Sequence, residues 1–281
     1  MAYRFLRYPD GKAKAVTFSY DDGVRQDLRL AEICSRYGIK CTFNLCKVTG
    51  QSKLSAEDIQ KNMLDAGHEI AVHGYNHNAP GNCTDIEIVN DVLDCRKNLE
   101  TTFNRIVRGM AYPDCGITVV DQTRYAQIKR ILQGLGIVYS RTLRGDNNDF
   151  RLPNDFHAWM PTAHHINPKV IEWAKEFANL DVNTLYHSAH HPRLFYLWGH
   201  SYEFDNDNNW ELIENLCGIL GQKDDTWYAT NMEIYEYVSA WNALAFNAEG
   251  TRVYNPTAAD VWFVADKKDY CVKSGCTLDL V

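Results

Sequence analysis

Residues 17–23 read T-F-S-Y-D-D-G, a short β-prone run that ends in two adjacent aspartates and a glycine. The run predicts a strand at 15–20, so the aspartates follow its C-terminal end, where α/β enzymes place catalytic groups. Because side chains alternate along an extended chain, Asp21 and Asp22 can face different partners. One can bind a metal while the other stays free as a base. Alone, Asp-Asp-Gly is more typical of a turn that caps a helix.

A second polar segment, H-G-Y-N-H at 73–77, follows a strand predicted at 69–72. Two histidines separated by three residues can face one ion. One carboxylate and two imidazoles form a familiar catalytic zinc set that leaves a coordination position open. The two segments together favour metal-assisted hydrolysis.

From residue 13 onward, β-rich runs alternate with amphipathic helical stretches, which is typical of βα units around a parallel sheet or barrel. We predict strands at 15–20, 40–45, 69–72, 106–111, 137–141, 183–188 and 193–199. We predict helices at 24–37, 55–66, 85–103, 118–135, 168–179, 210–220 and 232–245. The region 146–168, rich in Asn, Asp, Pro and aromatic residues, is predicted to be a functional loop. Short alternating runs after about residue 247 predict a small β appendage, which divides the chain into 1–246 and 247–281.

Composition limits the class of protein. The 281 residues are 45% hydrophobic and 12% aromatic, enough for a sizeable core. A net charge of −7 argues against a nucleic-acid partner, and no run of about 18 apolar residues predicts a membrane span. The N-terminal residues lack the features of a secretory signal, so we predict a cytoplasmic protein unless a leader has been removed. Nine cysteines without a C-x-x-C pair are expected to be mostly buried thiols.

The chain resembles the polysaccharide deacetylase family, also called NodB-homology or carbohydrate esterase family 4. The family's T-F-D-D-G is similar to residues 17–23, with two residues inserted before the aspartates, and its H-S/T-x-x-H is similar to 73–77, with Gly74 in place of the hydroxyl residue. Its third motif, an arginine before a Tyr/Pro pair and a glycine, is similar to R-G-M-A-Y-P-D-C-G at 108–116. Its fifth is similar to L-W-G-H at 197–200. For the fourth, an acidic residue with a tryptophan, the candidates are Asp155 and Trp159.

This resemblance implies an α/β fold, a distorted (β/α)7 barrel of the NodB-homology type, with a metal at the C-terminal ends of the strands beneath the 146–168 loop. It implies one divalent ion, zinc first, although cobalt, nickel and manganese accept the same ligands. The resemblance implies that Asp22, His73 and His77 bind the metal. It implies that Asp21 is the general base, oriented by Arg108, and that His200 is the general acid. The Tyr112 amide would stabilise the oxyanion, and the side chains expected to contact substrate are Trp198, Trp159 and Tyr112.

The implied function is a metal-dependent deacetylase that removes N-acetyl groups from an amino-sugar polysaccharide or oligosaccharide, of the chitooligosaccharide or peptidoglycan type. An O-acetyl (xylan) esterase and a small-amide or ring-opening hydrolase on the same fold stay open. So does a carbohydrate-binding protein without turnover, because a fold does not fix a function. A second metal also stays open, with rival imidazoles at His164, His165, His187, His190 and His191. The sequence leaves the sugar, its linkage and the oligomeric state open.

Overall fold

A parallel sheet positions all the candidate site residues in the computed structural model, which describes residues 3–143, 147–186 and 189–280. The strands are β1 (Arg4–Arg7), β2 (Lys14–Asp21), β3 (Cys41–Leu45), β4 (Glu69–Val72), β5 (Gly109–Ala111), β6 (Tyr139–Arg141), β7 (Ala163–His164), β8 (Arg193–Gly199), β9 (Thr226–Tyr228), β10 (Ala245–Phe246), β11 (Arg252–Tyr254), β12 (Val261–Ala265), β13 (Lys268–Val272) and β14 (Thr277–Asp279). The helices are α1 (Gln26–Arg36), α2 (Ala56–Ile59), α3 (Asp85–Phe103), α4 (Gln122–Gly134), α5 (Val170–Asn179), α6 (Tyr202–Asn206), α7 (Trp210–Leu220) and α8 (Asn231–Asn242).

The main sheet has the order β6-β5-β4-β3-β2-β8-β7, and β9 pairs with the first half of β2. Every pairing in this sheet is parallel, so the C-terminal ends of the strands meet at one edge. The central strand β2 is buried along its whole length, as expected for a parallel sheet with helices packed on it. The curled parallel sheet with its helices confirms the predicted (β/α)7-type fold.

Local sequence signals account for several helix boundaries. Ser55 caps α2 by accepting a hydrogen bond from the Asp58 amide, and the chain then continues as a π-helical turn to Leu64. Thr84 and Glu87 form a capping box at the start of α3. Helix α4 begins later than predicted because Asp121 caps it by accepting from the Arg124 amide.

The predicted strand at 183–188 is wrong in its described part, since a 3-10 helix occupies Val182–Thr184; residues 187 and 188 lie outside the described residues. The predicted loop at 146–168 contains a 3-10 turn at Phe156–Ala158 and the short strand β7. Sequence could not reveal β7, because two residues are too few for an alternating pattern.

The C-terminal segment forms two small antiparallel sheets, ordered β1-β12-β13 and β10-β11-β14. The first of these includes β1, so it joins residues near both ends of the chain. The Trp262 amide donates to the Tyr237 hydroxyl at 3.0 Å, which attaches β12 to α8. The domain boundary at 246/247 stays a prediction. In the described ranges, no helix has the length and apolar character needed to cross a membrane.

Candidate metal and active site

The C-terminal edge of the sheet brings together the two polar segments singled out in the sequence. Asp21 is the last residue of β2, and Asp22 follows it with a left-handed backbone (φ 82°). His73 follows β4 directly, and His77 closes the next turn with a φ of 59°. These non-glycine residues hold strained conformations, which a rigid surrounding structure must maintain.

Asp22, His73 and His77 form a compact set of metal-donor atoms. The Oδ1 atom of Asp22 lies 3.6 Å from His73 Nε2 and 3.4 Å from His77 Nε2. Neighbouring ligands of a four-coordinate zinc are roughly 3.3–3.5 Å apart, given bonds of about 2.0–2.2 Å. The buried His73 places Nδ1 3.0 Å from the Ala111 carbonyl, so Nδ1 donates there and Nε2 keeps its lone pair toward Asp22. These three residues therefore fit a divalent cation.

The charges within this set are mutually stabilising. Burial works against the Asp22 carboxylate, but the hydrogen bond with His77 and the charges of His73 and His200 outweigh it and lower the pKa of Asp22. The hydrogen bond with Asp22 raises the pKa of His77. Burial lowers the pKa of His73, which favours the neutral form that binds metals.

Asp21 faces a different set of partners from Asp22. Its side chain is fully buried, its Oδ1 accepts from Asn44 Nδ2 at 2.8 Å, and its Oδ2 pairs with the guanidinium of Arg141. Arg141 is the last residue of β6 and stacks on Trp198, with Cζ 4.2 Å from the ring centroid. Asp21 is thus fixed in orientation beside the donor set, with Oδ2 3.8 Å from His73 Nε2, and a fixed orientation suits a general base.

The ion pair assigned to Arg108 is made instead by Arg141, so that assignment is corrected. Arg108 precedes β5, at the opposite end of the strand from the site, and its carbonyl accepts from the Val138 amide at 2.9 Å. The signal that could have identified Arg141 is its position as the last residue of the strand predicted at 137–141.

Tyr112 also has a different place from the one expected. Its amide donates to the Arg141 carbonyl at 3.0 Å, extending the pairing of β5 with β6, and so is already engaged rather than free for an oxyanion. Its fully buried side chain donates through the hydroxyl to the His157 carbonyl at 2.8 Å. Both predicted roles of Tyr112, in catalysis and in substrate contact, are therefore corrected.

The two candidates for the fourth motif, Asp155 and Trp159, make contacts that stabilise the fold. Trp159 is fully buried among the rings of Tyr139, Phe156 and Tyr196, so its predicted substrate contact is wrong. Asp155 accepts hydrogen bonds from Tyr125 and Lys129, both at 2.7 Å, and caps the 3-10 turn at Phe156–Ala158.

Trp198 lies beside the site and is nearly buried, with 6% of its surface exposed. The guanidinium of Arg141 covers its ring, and His164 meets it edge-on at a centroid distance of 4.5 Å. Its contact with substrate stays a prediction.

His200 follows β8 and directs Nε2 toward the reaction centre, 4.0 Å from Asp21 Oδ2. Its Nδ1 lies 3.4 Å from Oε1 of Glu203. Burial works against a charge on this ring, but Glu203 and Asp21 outweigh it and raise the pKa of His200. A protonated His200 beside a fixed carboxylate is suited to general acid catalysis.

Two buried aspartates that sequence reasoning missed hold the site loops. Asp91 of α3 accepts from the Asn76 amide at 2.7 Å, and its carbonyl accepts from the Tyr75 amide at 3.0 Å, so it fixes the loop between the metal-donor histidines. A Cβ at Gly74, which has a φ of 72°, would lie 2.4 Å from the Asp91 carboxylate. Gly74 thus makes room for Asp91.

Asp27 of α1 performs a similar task between Asp21 and His200. It accepts from the Val24 amide at 2.9 Å and from the Ser201 hydroxyl at 2.5 Å, which ties the loop after β2 to the loop after β8. Burial raises the pKa of Asp27 to about 7.

The rival histidines fall into two groups. His164 and His165 lie beside Glu203, within the same edge of the sheet. His190 contacts the Leu185 carbonyl at 2.9 Å, and His191 packs against Phe5. The remaining one, His187, lies outside the described residues.

The curled parallel sheet, with Asp21, His200 and the Asp22 donor set at its edge, has a (β/α)7-type fold that solved deacetylase structures share. Residues 8–130 match the sequence profile of the polysaccharide deacetylase family, and the resemblance drawn from the motifs is confirmed. The matched segment includes Asp21, Asp22, His73 and His77, and excludes His200. No curated protein matches the chain.

Solved structures share the fold. A candidate polysaccharide deacetylase from Mycobacterium smegmatis is 17% identical, with a TM-score of 0.56 over 86% of this chain and 96% of that one. The Xyl-CE4 domain of a multidomain xylanase from the hindgut metagenome of Trinervitermes trinervoides is 18% identical, with a TM-score of 0.50 over 82% and 92%. The Streptococcus pyogenes deacetylase PplD, 17% identical at a TM-score of 0.40, matches 45% of this chain, which spans about half (55%) of that protein.

Proposed function

We propose that the protein is a metal-dependent hydrolase that removes N-acetyl groups from an amino-sugar oligosaccharide or polysaccharide. The observation that carries the proposal is the division of labour between the adjacent aspartates. Asp22 lies within 3.6 Å of two imidazoles, whereas Asp21, next to the same set, is held by Arg141 and Asn44. The site thus offers a cation position and a separate base.

A divalent cation held by Asp22, His73 and His77 would supply a Lewis acid for the acetyl carbonyl and would increase the acidity of water. Asp21 then accepts the proton of the attacking water. His200, whose pKa is raised, gives a proton to the departing nitrogen. Because an amine leaves poorly without a proton, the raised pKa of His200 favours an amide substrate. The net charge of −7 also suits a neutral or cationic sugar.

An O-acetyl esterase is the second candidate. The same base and cation position can act on an ester, and the fold of the Xyl-CE4 domain from a xylanase is similar. A carbohydrate-binding protein without turnover is less well supported, since a complete donor set and a paired acid and base have no role in binding alone.

The test measures acetate release by chelator-treated protein, with and without zinc or cobalt, from N-acetylglucosamine monomers and oligomers and from acetylated xylan. Metal-restored release from the amino sugars is the expected result, and Asp21→Asn should abolish it while metal stays bound. Release from xylan alone would replace the proposal with an esterase. No acetate release from any of these substrates, with metal shown to be bound, would favour a small-amide hydrolase or a binding protein.

The acid role has its own measurement. His200→Gln should lower amide turnover by about 10²- to 10⁴-fold and leave hydrolysis of an activated aryl acetate, whose leaving group needs no proton, much less affected. His191→Gln, outside the site, is the matched control. Equal losses on both substrates would contradict the acid role.

A further inference from the structure

A second group of donor side chains lies beside the Asp22 set, and we name it the Glu203 cluster: His164, His165, His200 and Glu203. Strands β7 and β8 pair in parallel, so their C-terminal ends deliver the three histidines to one place, and α6 supplies Glu203. Glu203 Oε2 lies 3.4 Å from His164 Nε2 and 3.2 Å from His165 Nε2. Glu203 Oε1 lies 3.4 Å from His200 Nδ1.

The separations within the Glu203 cluster resemble those of metal ligands. Charge-assisted hydrogen bonds between nitrogen and oxygen are about 2.7–2.9 Å long. Neighbouring ligands of a tetrahedral zinc with bonds of about 2.0–2.1 Å are roughly 3.3 Å apart. The Asp22 set shows the same spacing, 3.4 and 3.6 Å. One donor atom each from His164, His200 and Glu203 falls within 4.8 Å of the others.

Buried ring nitrogens point to the same conclusion. His200 Nδ1 and His165 Nε2 are buried, and their contacts with Glu203, at 3.4 and 3.2 Å, are longer than charge-assisted hydrogen bonds. His165 is only 1% exposed. A buried polar atom without a good partner costs about 1–3 kcal/mol, so a cation shared by these side chains would stabilise the cluster.

We propose that His164, His200 and Glu203 bind a second divalent cation of the zinc type. Binding at His200 Nδ1 forms a nitrogen–metal bond as the N–H bond breaks, and the proton leaves to solvent. In His164 the proton moves to Nδ1, which gives up its 3.3 Å contact with the amide of the exposed Ile166. This rearrangement makes the second site weaker than the Asp22 set.

The second cation has a regulatory consequence, which rests on the proposed function of His200 as the acid. With a cation at Nδ1, His200 is a neutral ring that keeps only its Nε2 proton. Such a ring is a much weaker acid than an imidazolium. Excess zinc therefore inhibits turnover by occupying the Glu203 cluster.

The binding test titrates metal-free protein with Co²⁺ alone, followed by absorbance and by metal analysis after equilibrium dialysis. We expect two equivalents for the wild type and for the control His191→Gln. His164→Gln should keep the first equivalent and bind the second at least about 10-fold more weakly. One equivalent in the wild type at up to about 1 mM Co²⁺, well above the Kd of structural zinc sites, would overturn the proposal. Two unchanged equivalents in His164→Gln would do the same.

The inhibition test measures acetate release against added zinc, with each variant normalised to its own activity at one equivalent. Wild-type activity should fall as the second equivalent binds, and His164→Gln should resist. Two bound equivalents without inhibition would overturn the regulatory part. Two bound equivalents in a protein that releases no acetate would support the site and refute the proposed function, so the two failures are distinguishable.

Discussion

Replacing Arg141 with methionine removes the only arginine paired with Asp21 in the described residues. Methionine keeps the apolar stem but leaves the Asp21 carboxylate without its guanidinium. Both side chains are fully buried, so solvent does not compensate the lost pair. Breaking a buried ion pair from one side costs about 3–5 kcal/mol, and we expect the free energy of unfolding to fall by that amount.

The same substitution should impair catalysis through the orientation of the base. Asp21 keeps its hydrogen bond to Asn44 but loses the contact that fixes Oδ2, while the Asp22 donor set is untouched. We expect kcat to fall by about 10²- to 10³-fold, with KM changed by less than about threefold. Arg108→Met is the matched control, because Arg108 lies at the other end of the sheet; it should change the free energy of unfolding by less than about 0.5 kcal/mol.

The assay combines urea unfolding, followed by tryptophan fluorescence, with steady-state acetate release. Adding Asp21→Asn to Arg141→Met removes the unpaired charge, so the double variant should be more stable than Arg141→Met alone. The reasoning would be refuted by an Arg141→Met loss below about 1 kcal/mol with unchanged kcat, since a buried pair cannot be that inexpensive to break. Equal effects of the two arginine substitutions would refute it as well.

Three further substitutions test the surroundings of the site. Asp91→Asn should weaken metal binding by about 10- to 100-fold in competition with a chromophoric chelator, whereas Asp94→Asn, exposed on the same helix, should leave it unchanged. Gly74→Ala places a Cβ 2.4 Å from the Asp91 carboxylate and should lower the unfolding free energy by about 1–3 kcal/mol; an unchanged urea midpoint would contradict the contact. Burial raises the pKa of Glu69 from 4.5 to about 7, so about 3 kcal/mol of stability present below pH 4.5 is lost as pH rises through 7. Glu69→Gln should remove this dependence in urea unfolding at pH 4 and 8, and parallel profiles would exclude it.

Much of the fold was predictable because the βα alternation is a local signal. Helices at 85–103 and 210–220 and strands at 69–72 and 193–199 were predicted with the bounds that the structure has. The short strand β7 was not predictable, since its pairing with β8 comes from tertiary contact rather than from alternation.

The site was predictable only where one segment carries the geometry. Residues 73–77 hold both histidines, so their spacing was informative. The partner of Asp21 lies 120 residues away on another strand, and the motif that places an arginine before a Tyr/Pro pair pointed to Arg108 instead. The sequence also did not show which aromatic residues are buried. Trp159 and Tyr112 were predicted to contact substrate, but both are core residues in the structure.

The sheet that joins β1 to β12 affects the order in which the chain can fold during synthesis. Arg7 pairs with Trp262, more than 250 residues later. At about 5–20 residues per second, β1 waits roughly 10–50 s after leaving the ribosome before its partner exists. Throughout that interval the strand R-F-L-R, whose Phe5 and Leu6 are buried in the finished structure, has an open edge. A chaperone that binds short extended segments with apolar side chains would therefore find a target in β1.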